Sequence, residues 1–397
     1  MDKLWRHLDF RRLWIGETVS QFGTMISELA LPLTAILVVH ASTFQVGLLS
    51  AFQTVAFAVV SLPAGAWVER MRFRHVLIVN DLIRAAALAS IPIAQIAGVL
   101  TIWQLYAVAL VTGVSTVFFD VAYQSYLPRL IGRQQLVDGN AKLQASESVS
   151  QLAGPSAGGL LIQALTAPFA VLIDAASFVW SAAWVTAIRF REPRPERTQD
   201  RNLRREIRDG LRFVTGNPML RAIAICTGSS NLFSSMSMAV FYVLLARDLH
   251  VSPGLIGLIT SAAAIGGLAG ALSHAPFVRH NWTLVLLAVA MAGVSSGIVV
   301  YNITQVSFRQ GLCPPTMLGR MNATMRFLVW GTMPAGSLLG GVLGTAIGVR
   351  ETLFVAAAGG SLTFLPVFLS PLRRMRQLPS YAEHPAAEAS PGISAGH

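Results

Sequence analysis

The sequence predicts an all-α polytopic membrane protein built from two related helix bundles. Three features carry that expectation: apolar runs of spanning length, basic residues confined to alternate loops, and an internal repeat. Of the 397 residues, 53% are hydrophobic and only 12% charged, with a mean hydropathy of +0.57, whereas an average soluble domain is about 25% charged. A helix needs about 20 apolar residues to cross a bilayer core. Six such runs occupy the first half, near residues 14–39, 44–68, 76–97, 102–126, 141–164 and 168–190. Five follow in the second half, near 219–246, 253–278, 282–301, 322–347 and 352–371.

Between the two sets lies RFREPRPERTQDRNLRREIRDGLRFVTGNP, residues 189–218, too charged to enter lipid. The expected organisation is therefore an N-terminal six-helix bundle (1–190), a basic cytoplasmic linker (191–218), a C-terminal bundle of about five helices (219–376) and a disordered tail (377–397). In the linker, Ile207, Leu211 and Val214 recur at helical spacing among Arg204, Arg205, Arg208 and Arg212. That pattern fits an amphipathic helix on an anionic leaflet, or equally a solvated charged helix.

The formal net charge of +11 does not describe a nucleic-acid surface, because the basic residues fall in short clusters between apolar runs rather than on one stripe. Lys3, Arg6, Arg11 and Arg12, then Arg70, Arg72 and Arg74, then Arg129 and Arg133, then the linker occupy alternate loops, while the loops around residues 40, 99 and 166 carry no Lys or Arg. This asymmetry puts the N-terminus and the linker in the cytoplasm. The first 14 residues lack a signal-peptide cleavage pattern, so the first run is expected to remain in the protein. Cys226 and Cys313 stand apart, without CxxC spacing or a histidine cluster, and imply no disulfide framework, metal or cofactor. The sequence contains no GxxxxGK[ST], HExxH or GxSxG, which argues against ATP-driven chemistry and against an enzyme.

The halves align at an offset of 182: Asp120 with Asn302, Ser125 with Ser307, Asn140-Ala141 with Asn322-Ala323, Gly154 with Gly336, and Gly158-Gly159 with Gly340-Gly341. Earlier in each half the register is 210, with Val46-Gly47-Leu48 meeting Ile256-Gly257-Leu258. Two basic-linked halves of this kind suggest duplication.

The chain resembles the major facilitator superfamily over nearly its whole length apart from the tail. GAWVERMRFRH, residues 65–75, is similar to the family's loop motif between the second and third helices, with Gly65, Glu69, Arg70 and Arg74 at the motif positions. Glu69 stands where aspartate is usual, and Arg72 and Phe73 replace the usual glycine and arginine. GPSAGG, with Gly154, Pro155, Gly158 and Gly159, fits the GPxxGG pattern of the family's antiporters. The alternative is a plain small-residue packing face. The segments FFDVAYQSYLPRL and NITQVSFRQGLCPPTMLGRMNATMRF resemble the bacterial exporter branch that contains macrolide-efflux and enterobactin-export proteins. The arginine usual in the fourth helix is missing, since Ala109 lies four residues before Gly113.

The resemblance implies two major-facilitator helix bundles in a bacterial-type inner membrane, and a monomer that exports an amphipathic small molecule (a drug, macrolide or siderophore-like metabolite) in exchange for protons. A facilitator or importer, or a degenerate or regulatory relative that does not transport, are the alternatives. The partners implied are that substrate, protons and membrane lipids. The two registers differ by 28 residues, one span plus a turn, so about eleven membrane helices are expected against the family's twelve. A topological conflict follows. Arg279 and His280 before the run at 282–301, and Arg309, Arg320 and Arg326 after it, all favour the cytoplasm. Either the last two helices are inverted, or residues 282–301 form a re-entrant or broken helix; full insertion is locally easier and tips the balance slightly to one full span with a gap in the second bundle, while packing with the first bundle favours the family orientation of the last two helices.

Intramembrane ionisable residues are the default functional candidates. Glu28 is the deepest carboxylate and the first candidate for proton coupling; the alternative is a carboxylate facing a wet cavity or paired with a neighbouring helix. Asp120 and Asp174 near the membrane faces and Glu147 below the GPSAGG bend are further coupling candidates, or structural pairs. Asp81 and Arg84, three apart on one helix face, are expected to neutralise each other. Gln21, Gln53, Gln144 and Asn231 are candidates to line a cavity with Trp14, Phe57 and Phe241, or to pack helices.

Overall fold

A computed structural model of the chain describes residues 3–68, 71–132, 135–190, 192, 203–266, 301, 305, 309 and 318–374. Every regular element among them is helical. The first bundle comprises α1 (Leu8–Leu37), α2 (Thr43–Val59), α3 (Ser61–Val68), α4 (Phe73–Ile96), α5 (Ile102–Ile131), α6 (Leu136–Leu165) and α7 (Ala167–Ala187). After them come α8 (Leu203–Gly216), α9 (Pro218–Val243) and α10 (Pro253–Gly266), and then α11 (Leu318–Trp330), α12 (Met333–Ala346), α13 (Val349–Ser361) and α14 (Leu365–Phe368).

Local chemistry sets the helix ends. Ser42 and Gln45 form a reciprocal capping box at the start of α2, with Ser42 N–H donating to Gln45 Oε1 at 2.7 Å and Gln45 N–H to Ser42 Oγ at 3.2 Å. Asn217 caps α9 through its side-chain oxygen, which accepts from Met219 N–H at 2.9 Å. The hinge between α6 and α7 needs a residue at positive φ, met by Thr166 at 73°; the hinge between α12 and α13 has Gly348 at 104°. Those two residues are 182 apart, and the helices repeat both registers of the sequence. Leu8 and Pro218, and Thr43 and Pro253, start helices 210 residues apart, whereas Leu136 and Leu318, and Ala167 and Val349, start helices 182 apart.

Six helices among the described residues are long and apolar enough to cross a bilayer: Phe73–Ile96, Ile102–Ile131, Ala167–Ala187, Pro218–Asp248, Thr324–Ala346 and Val349–Phe368. The 30-residue helices α1 and α6 are not among them. They carry the polar residues, among them Glu17, Gln21, Glu28, Gln144, Glu147 and Gln151, that a helix beside a wet interior can keep.

Packing fixes the direction of the last helices. On α12, Gly336, Gly340 and Gly344 lie against Leu232, Met236 and Val240 of α9 in turn, so the two helices run parallel. Against α2 the same helix runs antiparallel: Gly344 meets Thr43 at the start of α2 and Gly341 meets Gly47 a turn on, while Trp330, at the end of α11 just before α12, meets the Phe57 ring at 4.8 Å near the end of α2. Since α9 starts on the face where α7 ends, α12 leads away from that face and α13 with α14 returns to it. The chain at Arg374 is thus on the face of the N-terminus, which corrects the expectation that one full span at 282–301 would invert the last pair. The run 282–301 itself, the 28-residue deficit and the tail lie largely or wholly outside the described residues.

The amphipathic helix α8 also differs from the leaflet expectation. Val214 is fully buried with Leu220, Met321 and Met325, so α8 docks on the ends of α9 and α11 and keeps Arg205, Arg208 and Arg212 exposed.

The orientation of α12 yields a labelling prediction. With Cys226 and Cys313 replaced by Ala, a Ser380→Cys variant reacts with a membrane-impermeant maleimide only after cells are permeabilised, whereas labelling of intact cells restores the inverted arrangement.

Candidate functional site

The two bundles enclose a cavity of about 520 Å³. The first bundle lines it with Glu28 of α1, Gln53 and Phe57 of α2, Asp120 of α5, Glu147 of α6 and Asp174 of α7. From the second come Ser235 and Tyr242 of α9, Trp330 at the end of α11, and Met333 and Ser337 of α12. Arg84 of α4 is the described cation on the wall.

The charges divide into paired and unpaired sets. Arg84 Nη2 meets Asp81 Oδ1 at 2.5 Å, both buried, and the guanidinium lies between the rings of Phe119 and Phe178 at 4.4 and 4.1 Å. Asp120 Oδ2 meets Arg326 Nη2 at 2.8 Å, an ion pair that crosses from α5 to α11. The Arg326 guanidinium also lies over Trp330 and Phe57, at 5.1 and 5.6 Å. Among the described residues, Glu28, Glu147 and Asp174 form no ion pair. Asp174 is buried and accepts from Ser177 Oγ at 3.0 Å. Glu147 is half-buried and accepts from Gln151 Nε2 at 3.2 Å. Glu28 is exposed to the cavity interior.

On the face away from the N-terminus the bundles touch backbone to backbone. A Cβ on Gly47 would lie 2.6 Å from Gly341 Cα, and one on Gly159 would lie 2.9 Å from Gly257 Cα. No side chain fits at these positions, the general use of small residues at membrane helix contacts. Beside Pro155, Ser156 N–H leaves its own helix and donates to Ser261 Oγ of α10 at 2.9 Å, and Arg247 donates to the Ala41 carbonyl. Gly154 and Gly158 turn the other way, onto Met25 and Ile26 of α1. GPSAGG therefore packs α6 on two sides at once.

On the N-terminal face, Arg74 holds the end of α7: its Nε donates to the Val185 carbonyl at 3.2 Å, its guanidinium to the Thr186 carbonyl, and its N–H to Glu192 Oε1 at 2.9 Å. Gly65 lies in α3; Glu69 and Arg70 lie outside the described residues. Asp9, in the first turn of α1, completes this end. Burial raises its carboxyl, but the Arg189 N–H at 3.1 Å and Arg12 at 2.8 Å outweigh that and hold it below its ordinary value.

Of the expected cavity residues, Gln53 and Phe57 line the wall, and Gln21, Gln144, Asn231 and Phe241 do not. Gln21 donates to Glu17 at 3.3 Å, one turn away. Asn231 Nδ2 donates to the Val329 carbonyl at 3.0 Å and ties α9 to α11. Phe241 packs against the apolar core, and Gln144 is exposed on α6. Trp14 sits edge-on to Trp5, with centroids 4.9 Å apart, well before Glu28 on α1. Sequence reasoning passed over Arg326, read there only as a topological charge, as well as Tyr242 and Trp330. The signal for Arg326 was its place just before the apolar FLVW, about three helical turns before GPSAGG's counterpart at Gly336.

Two bundles related by a repeat and closed on one face around a polar cavity define a membrane transporter of the major facilitator type. Residues 4–307 match the family described as transmembrane secretion effector, and the chain belongs to that family. It is 26% identical over 379 residues to the multidrug efflux pump Tap of Mycolicibacterium fortuitum, covering 85% of this chain and 90% of that protein. It is 23% identical over 372 residues to macrolide efflux protein A of Streptococcus pyogenes, covering 87% and 91%. Among solved structures, the nucleoside transporter NupG (D323A mutant) superposes with a TM-score of 0.67 at 13% identity, covering 91% of this chain and 99% of that one. That likeness is one of fold.

Two outcomes test the contacts that hold the bundles. Gly47→Val leaves no room for α12 and holds the far face open, so a cysteine at Ser27 becomes reactive from outside while efflux falls by at least tenfold. Asp120→Arg and Arg326→Asp each abolish transport, and the double exchange recovers a substantial fraction; failure of that rescue removes the ion pair from the transport cycle.

Proposed function

We propose that this chain is a secondary exporter of an amphipathic small molecule, driven by protons and working by alternating access. The observation that carries the reading is Glu28, a carboxylate with no cationic partner among the described residues, exposed inside a cavity between two bundles that touch closely on one face. Similarity to efflux pumps supports the outward direction. Positive loops support a cytoplasmic N-terminus in a bacterial-type inner membrane, where the chain works as a monomer among lipids. Residues 191–218 form the cytoplasmic linker between a bundle at 1–190 and one at 219–376.

Each side chain then has a role. Glu28 carries the proton, with Asp174 and Glu147 able to take it over along the wall. Asp120 acts with Arg326 as a link that must open when the cavity faces the cytoplasm. Gly65, Glu69, Arg70 and Arg74 steady the cytoplasmic ends of the first bundle. Pro155 and Gly159 let the outer ends of the bundles meet closely at Gly257, while Gly154 and Gly158 seat α6 on α1 so that the first bundle moves as one body.

A susceptibility screen in a host stripped of its own efflux pumps identifies a cargo, and everted vesicles energised with a proton gradient then accumulate it. Glu28→Gln keeps shape and insertion but carries no proton, so proton-driven accumulation falls to the level of empty vesicles. Accumulation unchanged by that substitution takes Glu28 out of the coupling mechanism.

A further inference from the structure

We infer that Arg247 is the latch of the outer face: its guanidinium, held by the Ala41 carbonyl of the first bundle, sets how much of the time that face is shut. The latch rests on the alternating-access part of the reading above and is independent of cargo, direction and driving ion.

The outer ends of α1 and α9 are copies of one another. Val39 N–H donates to the Thr34 carbonyl at 3.1 Å and Ala41 N–H to the Ala35 carbonyl at 2.8 Å. In the second half, 210 residues on, Leu249 N–H donates to the Leu244 carbonyl at 2.9 Å and Val251 N–H to the Leu245 carbonyl at 2.8 Å. Both caps turn on a histidine at positive φ, His40 at 54° and His250 at 51°. The first cap carries Leu37 and Val38 where the second carries Arg247 and Asp248. Asp248 stays exposed and Arg247 forms no ion pair with a described carboxylate; instead its guanidinium crosses to the Ala41 carbonyl, inside the cap of the other half.

The glycine contacts of this face obey the repeat, and the arginine does not. Gly47 corresponds to Gly257 and Gly159 to Gly341, so Gly47 on Gly341 and Gly159 on Gly257 are one contact made twice. The mate of Arg247 on Ala41 is Leu37 facing Val251, and leucine has no donor. Ser156 and Ser261 are unmatched too, with Leu338 and Ala51 at the corresponding positions, but their bond is neutral and lies beside a glycine contact. A matched pair of packing contacts is thus joined by one charged bond without a mate. That charge also runs against its surroundings, since the loops around residues 40, 99 and 166 carry no Lys or Arg.

Burial makes the bond specific to the shut state. Ala41 is 1% exposed, so without Arg247 its carbonyl is a buried acceptor lacking a partner for as long as the face is closed. Opening brings water to that carbonyl and to the half-buried guanidinium alike. Removing the arginine therefore penalises the shut state and leaves the open one as it was.

Nitroxide labels at Val99→Cys and Ile347→Cys, exposed positions at the outer ends of the first and second bundles, report opening by pulsed EPR. The sample is the purified full-length chain with Cys226 and Cys313 replaced by Ala. Arg247→Leu, the side chain that the first half carries at this position, lowers the ratio of short to long distances about tenfold, as for the loss of one hydrogen bond to a charged group. Arg247→Lys keeps a cationic donor and most of the short population. If Arg247→Leu fails to fold, Arg247→Gln takes its place, its weaker neutral donor giving a smaller shift in the same direction. A folded Leu or Gln variant with unchanged distances, or a Lys variant as open as the Leu one, overturns the inference. A merely structural arginine lowers the melting temperature on removal and leaves the ratio unmoved. A chain that pumps its screened cargo while its labels never part in any variant refutes the latch and leaves export standing. One whose labels part on Arg247→Leu while energised vesicles accumulate nothing refutes export and leaves the latch standing.

Discussion

A charge inside a bilayer must find either a counter-ion or water, because hydrocarbon offers it neither. The ionisable groups of the described spans sort by that rule. Asp81 and Arg84 satisfy it within one helix, and the two aromatic rings on the guanidinium replace the hydration it has lost. Asp120 and Arg326 satisfy it across the bundles. Asp174 and Glu28 satisfy it at the cavity they both line, Asp174 with added help from the Ser177 hydroxyl. The cavity is thus a condition for keeping Glu28 in the membrane at all, and the polar character of α1 and α6 is a consequence of bordering it.

The two faces of the molecule are held by different chemistry. Away from the N-terminus the bundles meet through Gly47 and Gly341 and through Gly159 and Gly257, contacts of backbone on backbone. Around them Ser156 N–H donates to Ser261 and the Arg247 guanidinium to the Ala41 carbonyl, so separation of this face also frees a backbone donor and a cation that water must then reach. Nearer the N-terminal face the described link is ionic, and parting Asp120 from Arg326 requires water to reach both. Close backbone packing with two hydrogen bonds on one side and an ion pair on the other tie both ends of a transport cycle to the entry of water.

Helix lengths, both repeat registers and the family were legible in the sequence because they depend on local quantities: hydropathy over a span, turn chemistry, and residue identity at fixed offsets. Helices starting at Leu136 and Leu318, 182 apart, confirm an alignment made from a handful of glycines and an aspartate. Partner choice was not legible. Arg326 reads as one more cytoplasmic cation until α11 is seen beside α5, and Asn231 reads as a cavity amide until its donor is found on the Val329 carbonyl. The side reached by the last two helices was left open in the sequence for the same reason. Loop charge favoured their inversion locally, but the stacking of Gly336, Gly340 and Gly344 along α9 is a tertiary preference that no loop count contains. On α8 the arginines spoke for a lipid surface, while Val214 found a protein one.

The asymmetry of the halves bears on whether a shortened second bundle can still work. Among the described residues, the five charged ones on the cavity wall, Glu28, Arg84, Asp120, Glu147 and Asp174, come from the first bundle. What the second bundle adds to the wall comes from α9, α11 and α12: Tyr242, Trp330, Met333 and their neighbours. The 28-residue difference between the registers falls between Pro253, where α10 starts, and Leu318, where α11 starts. Every described residue of the cavity wall lies outside that interval. So do Arg326, the glycines of α12 and the parallel packing of α9 with α12, and Gly257 at the start of α10 still reaches Gly159. Within the interval the described chain adds no residue to the wall but does supply Gly257 and Ser261, the partners of Gly159 and Ser156, so the first half draws its described partners from both sides of the register change.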